Sequence, residues 1–239
     1  MKFDSKQLPK LKSPVLLVAT STSLQQYRAL YSQARELAKY MLAKMTFDRV
    51  ATVHSSAFAP EILVREDGLG VLPACHIYLH RGRRDILLLS GDSSPMDDQH
   101  EFSRAVLEFA SRVGVKEVFS IGARWADNPV SPFQDPEING FASSKAGAER
   151  LEKNGAKLIK GEPAPFFASM VVGLAPGYGM EGYKISVDHG EPIPHARTVV
   201  RMLEILEKMI GFEIDMDELK SRIVAPPSTN LPEDGGIYH

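Results

Sequence analysis

The chain has 239 residues, of which 44 % are hydrophobic and 24 % are charged, as in an ordinary globular protein. Its 28 basic and 30 acidic side chains give a formal net charge of −2, which argues against a nucleic-acid-binding protein because such proteins carry a basic excess. Cys75 is the only cysteine, which excludes a disulfide framework and favours a reducing compartment. The apolar runs are much shorter than the ~20 residues of a membrane span, and no secretory signal is recognised. The sequence therefore predicts a cytoplasmic protein that binds neither nucleic acid nor membrane.

Three continuous apolar runs predict strands that are buried on both faces. They occupy residues 15–20, 86–90 and 118–121. Uninterrupted apolar runs are typical of parallel strands that helices cover on either side. Residues 49–53 and 183–187 are weaker candidates of the same kind. We therefore expect a mainly parallel sheet in the interior.

Three amphipathic helices are predicted between and after these strands. Apolar residues recur at helical spacing over residues 27–45, 102–113 and 199–210, and each apolar stripe must pack on another layer. Ser94 is the predicted N-cap of the second helix, with Pro95 at its first position. Strands that alternate with helices predict an α/β fold, a three-layer α/β/α sandwich with a mainly parallel sheet.

One domain with an extension at each end is expected. The predicted parts are an N-terminal extension at residues 1–13, a single α/β domain at 14–224 and a flexible C-terminal tail at 225–239. Prolines and glycines dominate the tail and prevent it from folding by itself. It nevertheless ends in Ile237, Tyr238 and His239. Two large hydrophobic side chains at the tip of a tail indicate a docking segment.

The turn at residues 91–95 is the candidate site for chemistry. Gly91, Asp92 and Ser93 follow the second apolar run, where α/β sheets bind ligands, and Gly122 joins them as a possible pocket residue at the strand ends. A Gly-Asp-Ser triplet also resembles the nucleophile block of one esterase family, whose chemistry needs a base that activates the serine. The nearby Asp-x-x-His lies beside the serine, at residues 97–100, instead of near the C-terminus as in that family. The alternative is a glycine turn followed by a helix cap.

No metal or cofactor is predicted. His76 and His80 lie four residues apart in an extended stretch, which separates their side chains by ~13 Å, and no third ligand is near. Gly68 and Gly70 lack the third glycine and the helix of a dinucleotide-binding loop. We also assign no catalytic residue. Two proline-containing stretches, residues 128–133 and 161–168, are predicted to be surface loops.

Several blocks of sequence occur in an order that is informative as a series. They are PEILV at residues 60–64 followed by Asp67 and Gly68, LSGD at 89–92, GVKEV at 114–118 followed by Ile121 and Gly122, and EPIPHA at 191–196 before a helix that ends in IGFEID at 210–215. Over residues 14–220 this series resembles the archaeal form of the proteasome assembly chaperone family. The resemblance implies a nucleoside-phosphorylase-like fold without an established catalytic site, oligomers, and binding to the α ring of the proteasome.

The end of the tail agrees with this resemblance, and two loops depart from it. A hydrophobic residue, tyrosine and any residue at the C-terminus resemble the docking motif of proteasome activators and assembly chaperones, which implies that residues 237–239 bind proteasome α subunits. Residues 163–167 read PAPFF where many members have a Gly-Ser-Gly type of turn. Arg124 and Trp125 follow Gly122 where a second glycine is common. These departures weaken an inherited small-molecule pocket.

Three functions remain open on the sequence alone. The first is a non-enzymatic proteasome assembly chaperone or activator that docks its tail on the α ring. The second is a nucleoside-phosphorylase-like or esterase-like enzyme that uses the turn at residues 91–95, and the third is an interaction protein with an unrelated partner. We also expect a homo-oligomer, because aromatic residues in loop-like segments suggest contact surfaces. These residues are Trp125, Phe133, Phe141, Phe166 and Phe167.

Overall fold

A computed structural model describes residues 1–5, 8–20, 28–91, 93–125, 135–189 and 196–223, with only the backbone at 28–32, 124, 125 and 189. The strands are β1 (Lys2–Ser5), β2 (Val15–Val18), β3 (Asp48–His54), β4 (Leu63–Val64), β5 (Gly70–Val71), β6 (Cys75–His80), β7 (Ile86–Gly91), β8 (Glu117–Trp125), β9 (Ile138–Ala142), β10 (Lys157–Leu158) and β11 (Glu181–His189). The helices are α1 (Arg28–Lys44), α2 (Gln99–Arg112), α3 (Lys145–Lys153), α4 (Phe167–Leu174), α5 (Ala196–Ile210) and α6 (Asp217–Ser221), and a 3₁₀ turn (Ala175–Tyr178) joins α4 to β11.

Within the described residues the main sheet has nine strands in the order β1-β3-β6-β7-β2-β8-β11-β9-β10. The central strands β7, β2, β8 and β11 pair in parallel, which confirms the α/β prediction made from the apolar runs. The flanking pairs are antiparallel except β9 with β10, so the sheet is mixed and is not mainly parallel across its full width. The run at residues 49–53, in β3, is antiparallel to both of its neighbours. The connection from β6 to β7 spans only residues 81–85, too short for a parallel crossover, which needs a dozen or more residues.

Helices cover both faces of the sheet, as predicted for a three-layer fold. On one face, Phe119, Ile121 and Ile185 of the central strands pack with buried residues of α1, α3, α5 and α6. On the other face, Leu16 and Leu89 pack with buried residues of α2 and α4. Each central strand therefore has apolar side chains on both faces, which explains the uninterrupted apolar runs. Within the described ranges, none of the helices has the length and apolar character of a transmembrane helix.

Two expectations about element boundaries need correction. Helix α2 begins at Gln99, and Asp98, with a left-handed φ of 44° and no side-chain cap hydrogen bond, stands in the N-cap position. Ser94 is therefore not the cap; its Oγ is 2.7 Å from Thr20 Oγ1 in a buried hydrogen bond. The backbone N–H groups of Met96 and Asp97 both donate to the carbonyl oxygen of Ala57, at 2.6 and 3.2 Å. These bonds hold the segment before Gln99 against the end of β3 and out of the helix.

The second correction concerns the loop predicted at residues 161–168. Helix α4 begins inside it, at Phe167, and both Phe167 and Ala168 are buried. At the other end of the chain, β1 pairs with β3 at the edge of the sheet. The Phe3 ring of β1 stacks on Phe109 of α2 with a centroid separation of 5.4 Å. Residues 2–5 are thus part of the sheet.

Candidate functional site

The carboxyl ends of the four parallel strands form one edge of the sheet, where ligands bind in many α/β proteins. The segments that follow these strands, residues 21–27, 92, 126–134 and 190–195, lie outside the described residues. Of the predicted pocket residues, Gly91 ends β7 and Gly122 lies on β8 near the same edge. Asp92 falls outside the described residues.

Gly91 is required for packing between strands. It is in register with Cys75 of β6, and a β-carbon at residue 91 would lie 2.6 Å from the Cys75 Cα atom. Real β-carbons do not approach another atom so closely, so either strand would have to move. A structural role therefore accounts for this glycine.

Ser93 does not have the environment of a catalytic nucleophile. The residue is fully buried, and its hydroxyl donates to the carbonyl oxygen of Ser94 at 3.2 Å. His100 is exposed, and its Nδ1 faces Glu101 at 3.8 Å. Among the described residues, no histidine or carboxylate is hydrogen-bonded to the Ser93 hydroxyl. The esterase-like alternative thus lacks its base in this part of the chain.

Polar side chains gather on one face of the sheet near this edge. Lys184 of β11 is in register with Ser120 of β8, and Ser186 of β11 is in register with Gly122 of β8 and with Asn139 of β9. Residues in register on neighbouring strands project from the same face. This face is the one that α2 and α4 cover, because the alternate residues of β8 and β11 pack on the other side. We call Ser120, Asn139 and Lys184 the polar cluster.

The members of the polar cluster are buried, and no partner for their side chains is found in the described part of the chain. Lys184 is only 6 % exposed, and no hydrogen bond or ion pair of its ammonium group is found among the described residues. Burial lowers the pKa of Lys184 from 10.5 to about 7, because a charged amine is poorly stabilised away from water. The Ser120 hydroxyl and the Asn139 side-chain nitrogen are also buried without a hydrogen-bond partner in the described structure. Buried polar groups are normally hydrogen-bonded, so three such groups on one face need an explanation.

Gly122 contributes to this cluster through its missing side chain. A β-carbon at residue 122 would overlap the Lys184 ammonium nitrogen. The lysine side chain therefore leans from its own level on β11 toward the carboxyl edge of the sheet. Gly122 was expected at a pocket on sequence grounds, whereas Lys184, Ser120 and Asn139 were not. The sequence signal near Lys184 was the alternation of polar and apolar residues, YKISV, at residues 183–187.

Exposed apolar side chains occur at the β4–β5 hairpin, which forms a separate two-stranded sheet. Its large exposed side chains are Ile62, Val64, Leu69 and Leu72, with exposures of 57 % to 72 %. Beside it lies an open groove of about 750 Å³, lined in part by Met1, His54, Phe58 and Pro73. Large exposed apolar side chains gathered on one hairpin are typical of protein contact surfaces. We call these four exposed residues the hairpin patch.

The aromatic residues proposed as contact points have different environments. Phe166 is 42 % exposed, whereas Phe167 is buried and packs edge-to-face on Phe102. Phe141 is partly buried against the core on the α2/α4 face. The prediction of exposed aromatic residues is therefore wrong for Phe167, which covers the sheet within its own subunit. Phe133 and the side chain of Trp125 lie outside the described residues.

The remaining sequence candidates are two histidines and the tail. His76 Nδ1 is 3.1 Å from Thr52 Oγ1, and His80 Nδ1 is 2.9 Å from the Thr46 carbonyl oxygen. The described ranges contain no group of three or more His, Cys, Asp or Glu residues arranged to hold a metal ion. The docking residues Ile237, Tyr238 and His239 lie outside the described residues.

Comparisons with known proteins place this fold among characterised structures. Residues 34–225 match the sequence profile of the PAC2 family. The structure is similar to PbaB from Pyrococcus furiosus, an archaeal proteasome activator, with 17 % identity, a TM-score of 0.80 and 93 % of each chain covered. It is also similar to P. furiosus PbaA, an archaeal homologue of proteasome-assembly chaperone, with 19 % identity, a TM-score of 0.70 and 92 % and 90 % of the chains covered.

A third similar structure is Rv2125 from Mycobacterium tuberculosis, a proteasome-assembly chaperone homologue. It has 18 % identity, a TM-score of 0.72, and 87 % of this chain and 90 % of that chain covered. At these identities the three structures establish a shared fold. No curated protein has a significantly similar sequence.

Proposed function

We propose, since the chain belongs to the PAC2 family, that it is a non-enzymatic proteasome assembly chaperone or activator that acts in the cytoplasm. The observation that carries this proposal is the family match over residues 34–225, joined to the fold shared with PbaB along 93 % of both chains. The buried Ser93 hydroxyl supports a non-enzymatic function, because the strongest sequence candidate for catalysis is inaccessible.

The C-terminal tripeptide is the proposed docking element. Tyr238 has a flat apolar ring and a hydroxyl, so it fills a narrow pocket and still satisfies its polar atom. Ile237 adds aliphatic burial, and the carboxylate of His239 can be captured by a lysine or by backbone N–H groups of the α ring. The proline-rich residues 225–236 act as an extended tether. The bound form must therefore place the C-terminus itself inside the pocket.

Association of several copies is the second part of the proposal. One tail binds weakly because it loses conformational entropy on binding, whereas several tails that face several pockets of a ring gain affinity through avidity. The hairpin patch is the described surface best suited to hold copies together, because its exposed side chains are aliphatic. We therefore propose a homo-oligomer whose subunits present their tails to proteasome α subunits.

The docking proposal is tested by binding to an isolated archaeal-type α ring. The full-length chain should bind, while Tyr238→Ala and a chain with one residue added after His239 should each lose most of the affinity. His239→Ala is the matched control, because the motif leaves that side chain open, and it should bind like the original. If both altered chains bind as well as the original, the docking role is wrong.

The oligomer is tested independently by sedimentation at micromolar concentration. Val64→Asp and Leu72→Asp place charges in the hairpin patch and should shift the chain toward a monomer. A monomeric original chain would refute the association. An oligomer that both substitutions leave intact would exclude the hairpin patch as its interface. Ser93→Ala should leave α-ring binding unchanged, whereas an enzyme that uses the turn at residues 91–95 would lose its activity.

A further inference from the structure

The chemistry of the polar cluster specifies the kind of ligand it fits. Within the described residues, the Ser120 hydroxyl and the Asn139 side-chain NH₂ are buried without a hydrogen-bond partner, and no described charge is found to offset the ammonium of Lys184. An ammonium and an amide NH₂ are donors only, and a hydroxyl readily donates. A group that satisfies all three at once must therefore be rich in acceptors, and it must carry negative charge to compensate the ammonium.

The register brings the three donors to one place. Lys184 of β11 is in register with Ser120 of β8. Asn139 of β9 is in register with Ser186, two residues further along β11. Adjacent strands lie ~4.8 Å apart, so Ser120 on β8 and Asn139 on β9 flank the strand of Lys184 on one face of the sheet. The Lys184 side chain leans over Gly122, which brings its nitrogen level with Asn139. The donors therefore converge near the carboxyl edge.

The N-terminus of helix α4 adds positive electrostatic potential on the same face of the sheet. Val172, in the last turn of α4, lies against Gly182 at the start of β11, where an added β-carbon would be 3.0 Å from the Val172 Cα atom. Phe167, the first residue of α4, packs on Phe102 in the first turn of α2 at a centroid distance of 5.1 Å. The N-terminus of α4 consequently lies toward the carboxyl edge, on the face of the polar cluster. The positive end of a helix dipole stabilises an anion there.

Lys184 itself argues for an absent anion. A buried ammonium without a counter-ion is strongly disfavoured. None of the residues of α4 is titratable, and the buried residues that α2 contributes are Phe102, Ser103, Val106, Leu107, Phe109 and Ala110. A methionine or leucine at residue 184 would fill the same space without that penalty. The lysine therefore makes physical sense as half of an ion pair that a ligand completes.

We propose that the polar cluster, with the N-terminus of α4 beside it, binds a small oxyanion, either a phosphate or a carboxylate group. Lys184 pairs with the negative charge, and the Ser120 hydroxyl and the Asn139 amide donate to the anion's oxygens. The site lies in the folded domain and does not depend on the proposed docking of the tail. It binds its ligand without catalytic change.

Calorimetric titration of the full chain with inorganic phosphate and, separately, with acetate tests the proposal, at pH 6.5 in a buffer free of both. Saturable binding of phosphate alone would identify a phosphate site. Saturable binding of acetate alone would identify a carboxylate site. Lys184→Met should weaken that binding at least about tenfold, since a charge-assisted contact is lost. Lys145→Met, on the exposed surface of α3, is the matched control and should leave the affinity unchanged.

A second substitution separates loss of binding from loss of folding. Ser120→Ala removes a hydroxyl that has no partner in the described structure, so it should leave the melting temperature unchanged or slightly raised and still weaken anion binding several-fold. No saturable binding of either anion at millimolar concentration would overturn the proposal. Equal affinity in the original chain, Lys184→Met and Ser120→Ala would also overturn it, and would show an adventitious ion only.

Discussion

Replacement of Lys184 by methionine should stabilise the protein below neutral pH. Methionine is unbranched and matches the lysine stem, so the substitution removes the amine with little change in packing. The pKa of Lys184 falls from 10.5 to about 7 in the folded chain. A shift of one unit corresponds to about 1.36 kcal/mol, so protonated Lys184 costs the fold at most about 5 kcal/mol below pH 7. Lys184→Met should recover a large part of that free energy.

The dependence on pH has a definite sign. Between pH 7 and pH 10.5 the unfolded chain holds a proton on Lys184 that the folded chain has released. Stability rises with pH wherever the unfolded state binds more protons. The original chain should therefore gain about 3 kcal/mol of unfolding free energy from this group between pH 6 and pH 9.5, and Lys184→Met should not. The difference in unfolding free energy between Lys184→Met and the original chain therefore shrinks by about 3 kcal/mol over this pH range.

The measurement is urea unfolding of both chains at several pH values in a buffer without phosphate or carboxylate ions. Burial raises the pKa values of Tyr40 and Tyr183, which moves both tyrosines above this pH window, and every other titratable group is present in both chains and cancels in the difference. A difference in unfolding free energy that stays constant from pH 6 to pH 9.5 would show that Lys184 titrates at its ordinary pKa. A less stable variant at pH 6 would refute the reasoning as well.

Four further substitutions test the packing around the site by the same urea measurement. Phe167→Ala should lower the unfolding free energy by about 3–5 kcal/mol because it empties a buried ring site, whereas Phe166→Ala, at the exposed neighbour, should change it by less than about 0.5 kcal/mol. Gly91→Ala should cost about 1–3 kcal/mol through overpacking against Cys75, and an unchanged stability would show that β6 and β7 separate easily. Glu117→Gln weakens the ion pairs of Glu117 with Arg84 and Arg150 and should lower the unfolding free energy by about 1–3 kcal/mol. If this loss is the same at high and low salt, it does not arise from the ion pairs.

The fold was predictable where one physical signal dominated. The runs at residues 15–20, 86–90 and 118–121 became parallel central strands because burial on both faces demands uninterrupted apolar sequence. The helix of residues 27–45 was predictable because its apolar residues recur at helical spacing and form a single stripe. Strand directions at the flank were not predictable from composition. The β3 sequence resembles that of a parallel strand, but the direction of a strand depends on the length of the connection to its neighbour.

Helix α4 was missed because its sequence lacks the signals that mark most helices. It is apolar around its whole circumference, FASMVVGL, over Phe167–Leu174, so it has no polar face and no 3.6-residue periodicity to detect. The prolines at residues 163 and 165 suggest a loop and in fact precede the first turn. A short helix without a polar face is recognisable only once the layers around it are known.

The polar cluster was hidden for a related reason. Alternation of polar and apolar residues in YKISV is what a strand with one solvated face shows, and a lysine on such a strand is expected in water. The sheet order reverses this expectation, because β11 lies between β8 and β9 and α4 covers the face that Lys184 occupies. The burial of Lys184 thus results from the topology of the sheet, and no local sequence feature indicates it.

The two halves of the candidate edge differ in what they can do. Gly91, which a sequence pattern singled out, lets β7 pack closely against Cys75 of β6, and the buried Ser93 hydroxyl donates to the carbonyl oxygen of Ser94. The Ser120 hydroxyl and the Asn139 side-chain NH₂, which no motif marks, are buried without a partner among the described residues, and they lie on the same face as Lys184. Donors beside an ammonium group are suited to recognising negative charge.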